Sequence, residues 1–245
     1  MIPSDIVEEF VKRVRAAGGA NVESVILFGS AAAGDFHPGL SNVNLLCILR
    51  DSSFDALQAL APVATWWDKQ KQPPPLCMTK REIERSTDVF TIELMDMKQH
   101  HRVLLGEDVL SGLQISMELH RVQVEYELRE KLLLLRQHLL VASDNESRLW
   151  EVLLRSVPSF STLFRHALIA LGDSSESKRK DAVRALAQRL GFDDSAVQKV
   201  LEVREKKVDR KDLRIKELVA DYLATVEKVT SAVDLALDSD SAKPA

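Results

Sequence analysis

The sequence predicts an α+β fold in two parts: a mixed β-sheet flanked by helices, followed by an all-α helical bundle. Short apolar runs typical of strands occur only in the first half of the chain. From about Ser116 onward, apolar residues recur only at helical spacing. We therefore expect one domain over residues 1–113, a helical bundle over 114–238 and a disordered tail over 239–245.

Composition limits the possible partners and compartments. The 245 residues carry a formal net charge of −4, so no global basic excess points to nucleic acid, which is an unlikely partner. The N-terminus does not resemble a signal peptide, and the longest apolar tracts are too short for a bilayer. The two cysteines, Cys47 and Cys77, fall in predicted strands and are expected to be free thiols. We expect a cytoplasmic protein with no membrane contact.

The first half begins with a helix that follows Pro3 and Ser4 and stops at Gly18-Gly19. A second helix is predicted from Phe54 to Trp67, kinked or split by Pro62, with Trp66 and Trp67 packed on the sheet rather than stacked on a ligand. Thr79 and Glu82 have the spacing of a capping box for a short helix. Strands are predicted at four places: 25–28, 43–49, 76–78 and 89–95.

The most specific signal lies between the first two strands. The run Val25 to Phe28 ends in Gly29-Ser30, and a small-residue loop leads to the second strand. Gly29 lets a ligand approach the backbone and Ser30 adds a hydroxyl and an amide, so this turn suits a phosphate. Asn42 and Asn44 are predicted to point to the same face at the start of the second strand.

This segment resembles the signature of polymerase-β-type nucleotidyltransferases, among them the kanamycin-type aminoglycoside enzymes. Gly29, Ser30 and Ser41 match, whereas Asn42 and Asn44 stand where that family has two aspartates. The resemblance implies a Gly-Ser turn that binds the phosphates of a nucleoside triphosphate. It also implies two Mg²⁺ ions held by the two aspartates and by a third carboxylate from a later strand.

The asparagines alter that expectation, because Mg²⁺ is held chiefly by charged carboxylate oxygens. We expect no metal at the usual affinity, and the transition-state stabilisation that two-metal catalysis supplies is expected to fall with it. Mg²⁺ and a nucleoside triphosphate remain the implied cofactors only if the protein is active.

Residues 88–110, DVFTIELMDMKQHHRVLLGEDVL, resemble the corresponding part of a branch of bacterial nucleotidyltransferase-domain proteins. That resemblance makes Glu93 the first candidate and Asp96 the second candidate for the third carboxylate. A surface ion pair is the alternative role for Glu93. The adjacent His100 and His101 are expected to be solvated rather than to act as a ligand pair.

The second half reads as about five amphipathic helices. The longest is predicted from Ser116 to Ala142, the next from Trp150 to Leu171 with a bend at Pro158. Arg165 and His166 are adjacent rather than spaced, so we do not predict nuclease activity. A bundle of this kind follows the catalytic domain in kanamycin-type enzymes. Two shorter helices and a last long helix complete the prediction: Asp181 to Leu190, Asp194 to Val203, and the apolar stripe Val219, Tyr222, Val226, Val229 and Val233.

Three functions follow from this pattern. The first is a degenerate nucleotidyltransferase-fold protein that binds a nucleotide or another phosphate-bearing ligand with lost or weak transfer. The second is an active, metal-dependent transferase that moves a nucleoside monophosphate to an acceptor hydroxyl, with Glu93 as general base, Ser30 on the triphosphate and Asp35 helping to hold one metal. The third is a non-enzymatic scaffold that binds a protein partner through the helical bundle.

Overall fold

A computed structural model describes residues 4–34, 42–173 and 179–241. The chain divides into two compact units, residues 1–116 and 117–245, which we call the first and second units. The observed division falls three residues after the predicted boundary. Within the described ranges, no helix combines the length and the apolar character needed to cross a membrane.

The first unit contains a four-stranded mixed sheet, which confirms the predicted α+β class. The strand order is β3-β2-β1-β4; β1 is antiparallel to both of its neighbours, and β3 is parallel to β2. In chain order the elements are α1 Ser4–Gly18, β1 Val22–Phe28, β2 Asn44–Leu49, α2 Phe54–Lys69, β3 Leu76–Thr79, α3 Lys80–Arg85, α4 Thr91–Gln99 and β4 His101–Leu105.

Side chains from the sheet pack into two apolar cores, one on each face of the sheet. Val25 and Leu27 of β1, with alternate residues of β2, pack with α1 and α2. Ile26 of β1, with Leu46 and Ile48 of β2, packs with α3 and α4 on the other face. This alternation follows from the two-residue period of a strand. Both faces of the sheet are therefore covered by helices.

The tryptophans and the proline of α2 are now placed. Trp67 is fully buried with its ring centroid 4.9 Å from that of Phe10, so it packs in the core as expected. Trp66 is only half-buried, and the Arg13 guanidinium lies 4.5 Å from its ring centroid. Pro62 lies inside a single helix, which it does not split.

The predicted strand over 89–95 is wrong. Val89 and Phe90 are exposed, and the chain forms α4 from Thr91. A short apolar run is ambiguous between strand and buried helix, and the following Glu, Leu, Met, Lys and Gln residues favour helix. The fourth strand is instead His101–Leu105. His100, the C-cap residue of α4, directly precedes it.

The second unit contains five α-helices among its described residues, as the periodicity predicts. A side-chain cap by Asn145, which accepts from Arg148 N at 3.0 Å, starts the second of them four residues before Trp150. The last helix continues three residues beyond the predicted end of the bundle at 238, and residues 242–245 lie outside the described part of the chain. The helices are α5 Met117–Ala142, α6 Glu146–Ala170, α7 Arg179–Leu190, α8 Ser195–Arg204 and α9 Ile215–Ser241.

The turn that follows β4 is packed directly on the backbone of β1. Gly106 has φ +78°, and a Cβ at this position would lie 1.9 Å from the carbonyl oxygen of Glu23. Ser24 Oγ donates to the carbonyl oxygen of Glu107 at 2.7 Å. Residue 106 must therefore be glycine both for its conformation and for this close approach.

Asp108 organises the rest of this turn. Its carboxylate accepts hydrogen bonds from the amides of Leu110 and Ser111, at 3.0 and 3.1 Å, and from Ser111 Oγ at 2.5 Å. His101 Nε2 lies 3.1 Å from the same carboxylate, and His101 Nδ1 lies 3.1 Å from Lys98 O. The expected solvated histidine pair is thus wrong for His101, whereas His100 is exposed.

These contacts shift the pKa of Asp108. Desolvation by burial acts to raise this pKa, but the hydrogen bonds from Ser111, His101 and the amide of Leu110 outweigh it. The net result is a pKa well below the ordinary value of 3.8. The carboxylate form of Asp108 is therefore favoured by the folded chain.

We predict that Gly106→Ala lowers the free energy of unfolding by about 3 kcal/mol or more, because the new Cβ meets a backbone carbonyl. Gly34→Ala is the matched control: Gly34 has φ +76°, yet nothing lies within 4 Å of its added Cβ. It should lose only about 1 kcal/mol. Urea unfolding measures both, and equal losses would contradict the packing account.

We predict that Asp108→Asn destabilises the protein at neutral pH and that this loss becomes progressively smaller as the pH falls below the ordinary aspartate pKa near 3.8. A carboxyl whose pKa is lower in the folded than in the unfolded chain stabilises the fold above the unfolded pKa, near 3.8, and loses this contribution as the pH falls through the folded value. Urea unfolding at several pH values tests this, with the exposed Asp68→Asn as control. An effect of Asp108→Asn that does not change with pH would contradict it.

Candidate functional site

The Gly29 turn is held on both sides by backbone hydrogen bonds. β1 ends in extended Phe28, and Gly29 then adopts φ +76° to enter one turn of 3₁₀ helix, Gly29–Ala31. Gly29 N donates to His100 O at 3.1 Å, while Gly29 O accepts from Ala32 N at 2.9 Å. The turn is thus anchored to the chain that enters β4, and half-buried Ser30 is held within it.

Asn44 lies directly beside this turn. In the antiparallel register of β1 and β2 it stands opposite Phe28. Its side-chain Nδ2 would lie 3.2 Å from a Cβ added to Gly29, tighter than ordinary van der Waals contact. The structure therefore brings together two of the residues that the sequence singled out, Gly29 and Asn44.

The remaining candidates near the turn in the sequence are Asn42, Ser41 and Asp35. Asn42 is exposed and precedes β2, and the next amide, Val43 N, donates to Gln72 Oε1 at 2.8 Å. Ser41 and Asp35 lie outside the described residues. The Gln72 contact had no sequence signal, because it joins residues 29 apart in the chain.

Glu93 occupies the first turn of α4 instead of a strand, and its side chain is exposed. Leu94 and Met97 of α4 pack with Leu46 on one face of the sheet. Strand alternation puts Asn44 on that face, two residues before Leu46. Glu93 and Asn44 therefore lie on the same side of the sheet. Glu93 belongs to a helix that packs on this face and not to a strand of the sheet.

The donor set does not fit Mg²⁺. The two strands after β2 are Leu-Cys-Met-Thr and His-Arg-Val-Leu-Leu, and neither contains a carboxylate. At the two family positions the chain offers only the neutral amide oxygens of Asn42 and Asn44. Over the described ranges, no three His, Cys, Asp or Glu residues cluster in a way that could hold a metal ion. Hard divalent cations select charged oxygen ligands, so this site is poorly matched to them.

Cys47 of β2 and Cys77 of β3 lie next to each other on neighbouring strands. Cys47 stands opposite Cys77 in the parallel register, and both are free thiols. The hydrogen bond between the two thiols and burial raise the pKa of Cys47. Cys77 therefore lies on the edge strand of the sheet, and its thiol is a soft donor rather than a hard oxygen ligand.

Comparisons with known proteins agree with this fold. Residues 7–101 match the family model described as "Nucleotidyltransferase domain". No curated protein sequence matches the chain. A solved structure of spectinomycin adenyltransferase AAD(9) from Enterococcus faecialis, with ATP and spectinomycin, is similar at a TM-score of 0.58 and 14% sequence identity. The similarity covers 94% of this chain and 99% of that one. The resemblance predicted from the sequence is thereby confirmed at the level of the fold: residues 7–101 match a nucleotidyltransferase domain, and a helical unit follows them.

Proposed function

We propose that the first unit binds a nucleotide or another phosphate-bearing ligand directly, without the usual metal pair, and that its transferase activity is lost or weak. The observation that carries the proposal is the absence of carboxylates from positions 42 and 44 and from the described strands β3 and β4, beside a retained Gly29 turn. The phosphate-binding half of the family's site is kept, and its metal-binding half is changed.

Charge explains how a site can keep its phosphate-binding part and lose its metal-binding part. Two Mg²⁺ ions bring four positive charges into a site, and two Asn residues in place of Asp remove two compensating negative charges. Glu93, exposed on α4, supplies only one negative charge and does not replace the two that are missing. The metals would therefore have to be held mainly by the phosphates of the ligand.

The same substitutions favour a direct contact with phosphate. An aspartate next to a phosphate repels it unless a metal lies between them, whereas an asparagine side chain has an NH₂ group that donates hydrogen bonds to an anion. Asn44 Nδ2 already faces the Gly29 position at the turn. Asn44 would then contact one phosphate group together with the amide and hydroxyl of Ser30, since the Gly29 amide already donates to His100 O.

The second candidate is an active adenylyl-type transferase, which the fold of the spectinomycin adenyltransferase favours. In it, Glu93 would act as general base and Ser30 would bind the triphosphate, and transfer would release pyrophosphate. This candidate needs a metal site that draws on Asp35 or on substrate oxygens.

We predict that Asn42→Asp with Asn44→Asp strengthens Mg²⁺-dependent ATP binding about tenfold or more, about 1.4 kcal/mol, because it restores two charged ligands. In EDTA the same variant should bind ATP more weakly than the natural sequence, since two carboxylates then face the phosphates. Calorimetric titration measures both affinities.

Asn145→Asp is the matched control, since Asn145 caps α6 in the second unit and aspartate caps equally well. It should change neither affinity. If the double variant binds ATP no better with Mg²⁺ and no worse in EDTA, Asn42 and Asn44 do not contact the phosphates, and the proposal fails.

We predict that the natural sequence, incubated with ATP, Mg²⁺ and spectinomycin as a trial acceptor, releases pyrophosphate no faster than the same mixture without protein. Phosphoryl-transfer chemistry depends on the electrostatic stabilisation that this donor set does not provide. Acceptor-dependent release that Glu93→Gln abolishes would establish the active-transferase alternative instead.

A further inference from the structure

Helix α5 of the second unit is apolar on two opposite faces. One face packs in the bundle through buried residues that include Val124, Leu128 and Leu135. The other is exposed: five of its residues expose between 58 and 77% of their surface, and Leu119 exposes 40%. We call this face the outer stripe; it consists of Leu119, Val122, Tyr126, Leu133, Leu140 and Val141.

The spacing of the outer stripe indicates what could cover it. Leu119, Tyr126, Leu133 and Leu140 follow one another at intervals of seven residues, so they form a nearly straight line about 31 Å long. Two long helices that pack side by side carry an apolar residue every seven residues and a second position three residues later. On this line the second position is Val122 in the first repeat and Arg129 and Arg136 in the next two. Large contiguous apolar surfaces are uncommon on soluble monomers. A second long helix is the natural occupant of this line.

The line is also symmetric about its own centre, which lies between Arg129 and Glu130. If two copies of α5 pair antiparallel about a two-fold axis at this point, Leu119 of one copy faces Leu140 of the other. Tyr126 likewise faces Leu133. A two-fold interface requires such self-complementarity, because the same patch serves both subunits.

Charge along one edge of the stripe favours the antiparallel direction. Glu118 and Glu125 flank its N-terminal half, Arg129 lies beside its centre, and Arg136 flanks its C-terminal half on the same edge. An antiparallel pair places the acidic half of each edge against the basic half of the other. A parallel two-fold pair would not bring this edge against its own copy.

Neighbouring side chains hold these charges in place. Arg136 Nη2 pairs with Glu227 of α9 at 2.7 Å. Arg129 is paired with Asp234, also of α9, and with Glu125 of its own helix at 2.9 Å. Glu130, near the centre of the stripe, is paired with Lys131 Nζ at 2.7 Å, which offsets the like charge of its symmetry mate. The edges are therefore ordered before association.

We propose that the chain forms a homodimer in which the outer stripes of two α5 helices pack antiparallel about a two-fold axis between residues 129 and 130. The contact is made within the second unit and does not depend on the function proposed for the first.

Sedimentation equilibrium of the full-length protein tests the dimer, with an expected mass of twice the 27.4 kDa of one chain. Tyr126→Glu with Leu133→Glu should raise the dissociation constant about a hundredfold or more, because it buries unpaired carboxylates at the centre of the contact. Circular dichroism should be unchanged, since both side chains are exposed in one chain. Phe54→Glu, at an exposed position on α2, is the control and should remain dimeric.

A monomer at every concentration, or a dimer that the stripe variant leaves intact, would overturn the proposal. Direction is tested by disulfide trapping in a Cys47→Ser, Cys77→Ser background. Leu119→Cys mixed with Leu140→Cys should cross-link, and Leu119→Cys alone should not. Cross-linking of Leu119→Cys with itself would overturn the antiparallel arrangement.

Discussion

The first unit depends on β1, which pairs with β2 along one edge and with β4 along the other. Its C-terminal end is where the Gly29 turn begins, and the hydrogen bond from Gly29 N to His100 O ties this end to β4. At its other end, Gly106 packs on the carbonyl oxygen of Glu23. The candidate phosphate site is therefore positioned by backbone contacts, which a change of side chain at positions 42 or 44 leaves in place.

This separation of scaffold from ligands is the physical reason why the fold can persist while the chemistry changes. Residues 7–101 match a nucleotidyltransferase domain, although asparagine stands at the two positions where the sequence resemblance leads us to expect aspartate. Metal-dependent transfer needs negative charge to hold the cations, whereas direct recognition of phosphate needs hydrogen-bond donors. Asn44, next to the Gly29 turn, has the second property and lacks the first.

Much of the fold was predictable from local pattern. The capping box of Thr79 and Glu82 forms as expected, with Glu82 N donating to Thr79 Oγ1 and Thr79 N to Glu82 Oε2. The helix at 91–99 was not, because its short apolar run fits a strand equally well. The His101–Asp108 contact and the packing of Gly106 on Glu23 join distant residues and left no periodic signal. The outer stripe of α5 was not predicted for another reason: sequence spacing alone does not distinguish a buried apolar helix face from an exposed one.

The most direct test of the account is thermal unfolding of the protein with ATP, GTP, CTP or UTP, each in Mg²⁺ and in EDTA. A ligand that binds only the folded state raises the midpoint. We expect at least one nucleotide to raise it by a similar amount in both conditions, because the Gly29 turn and Asn44 would contact phosphate without a metal. A rise that disappears in EDTA, or no rise with any nucleotide, would contradict metal-independent binding at this site.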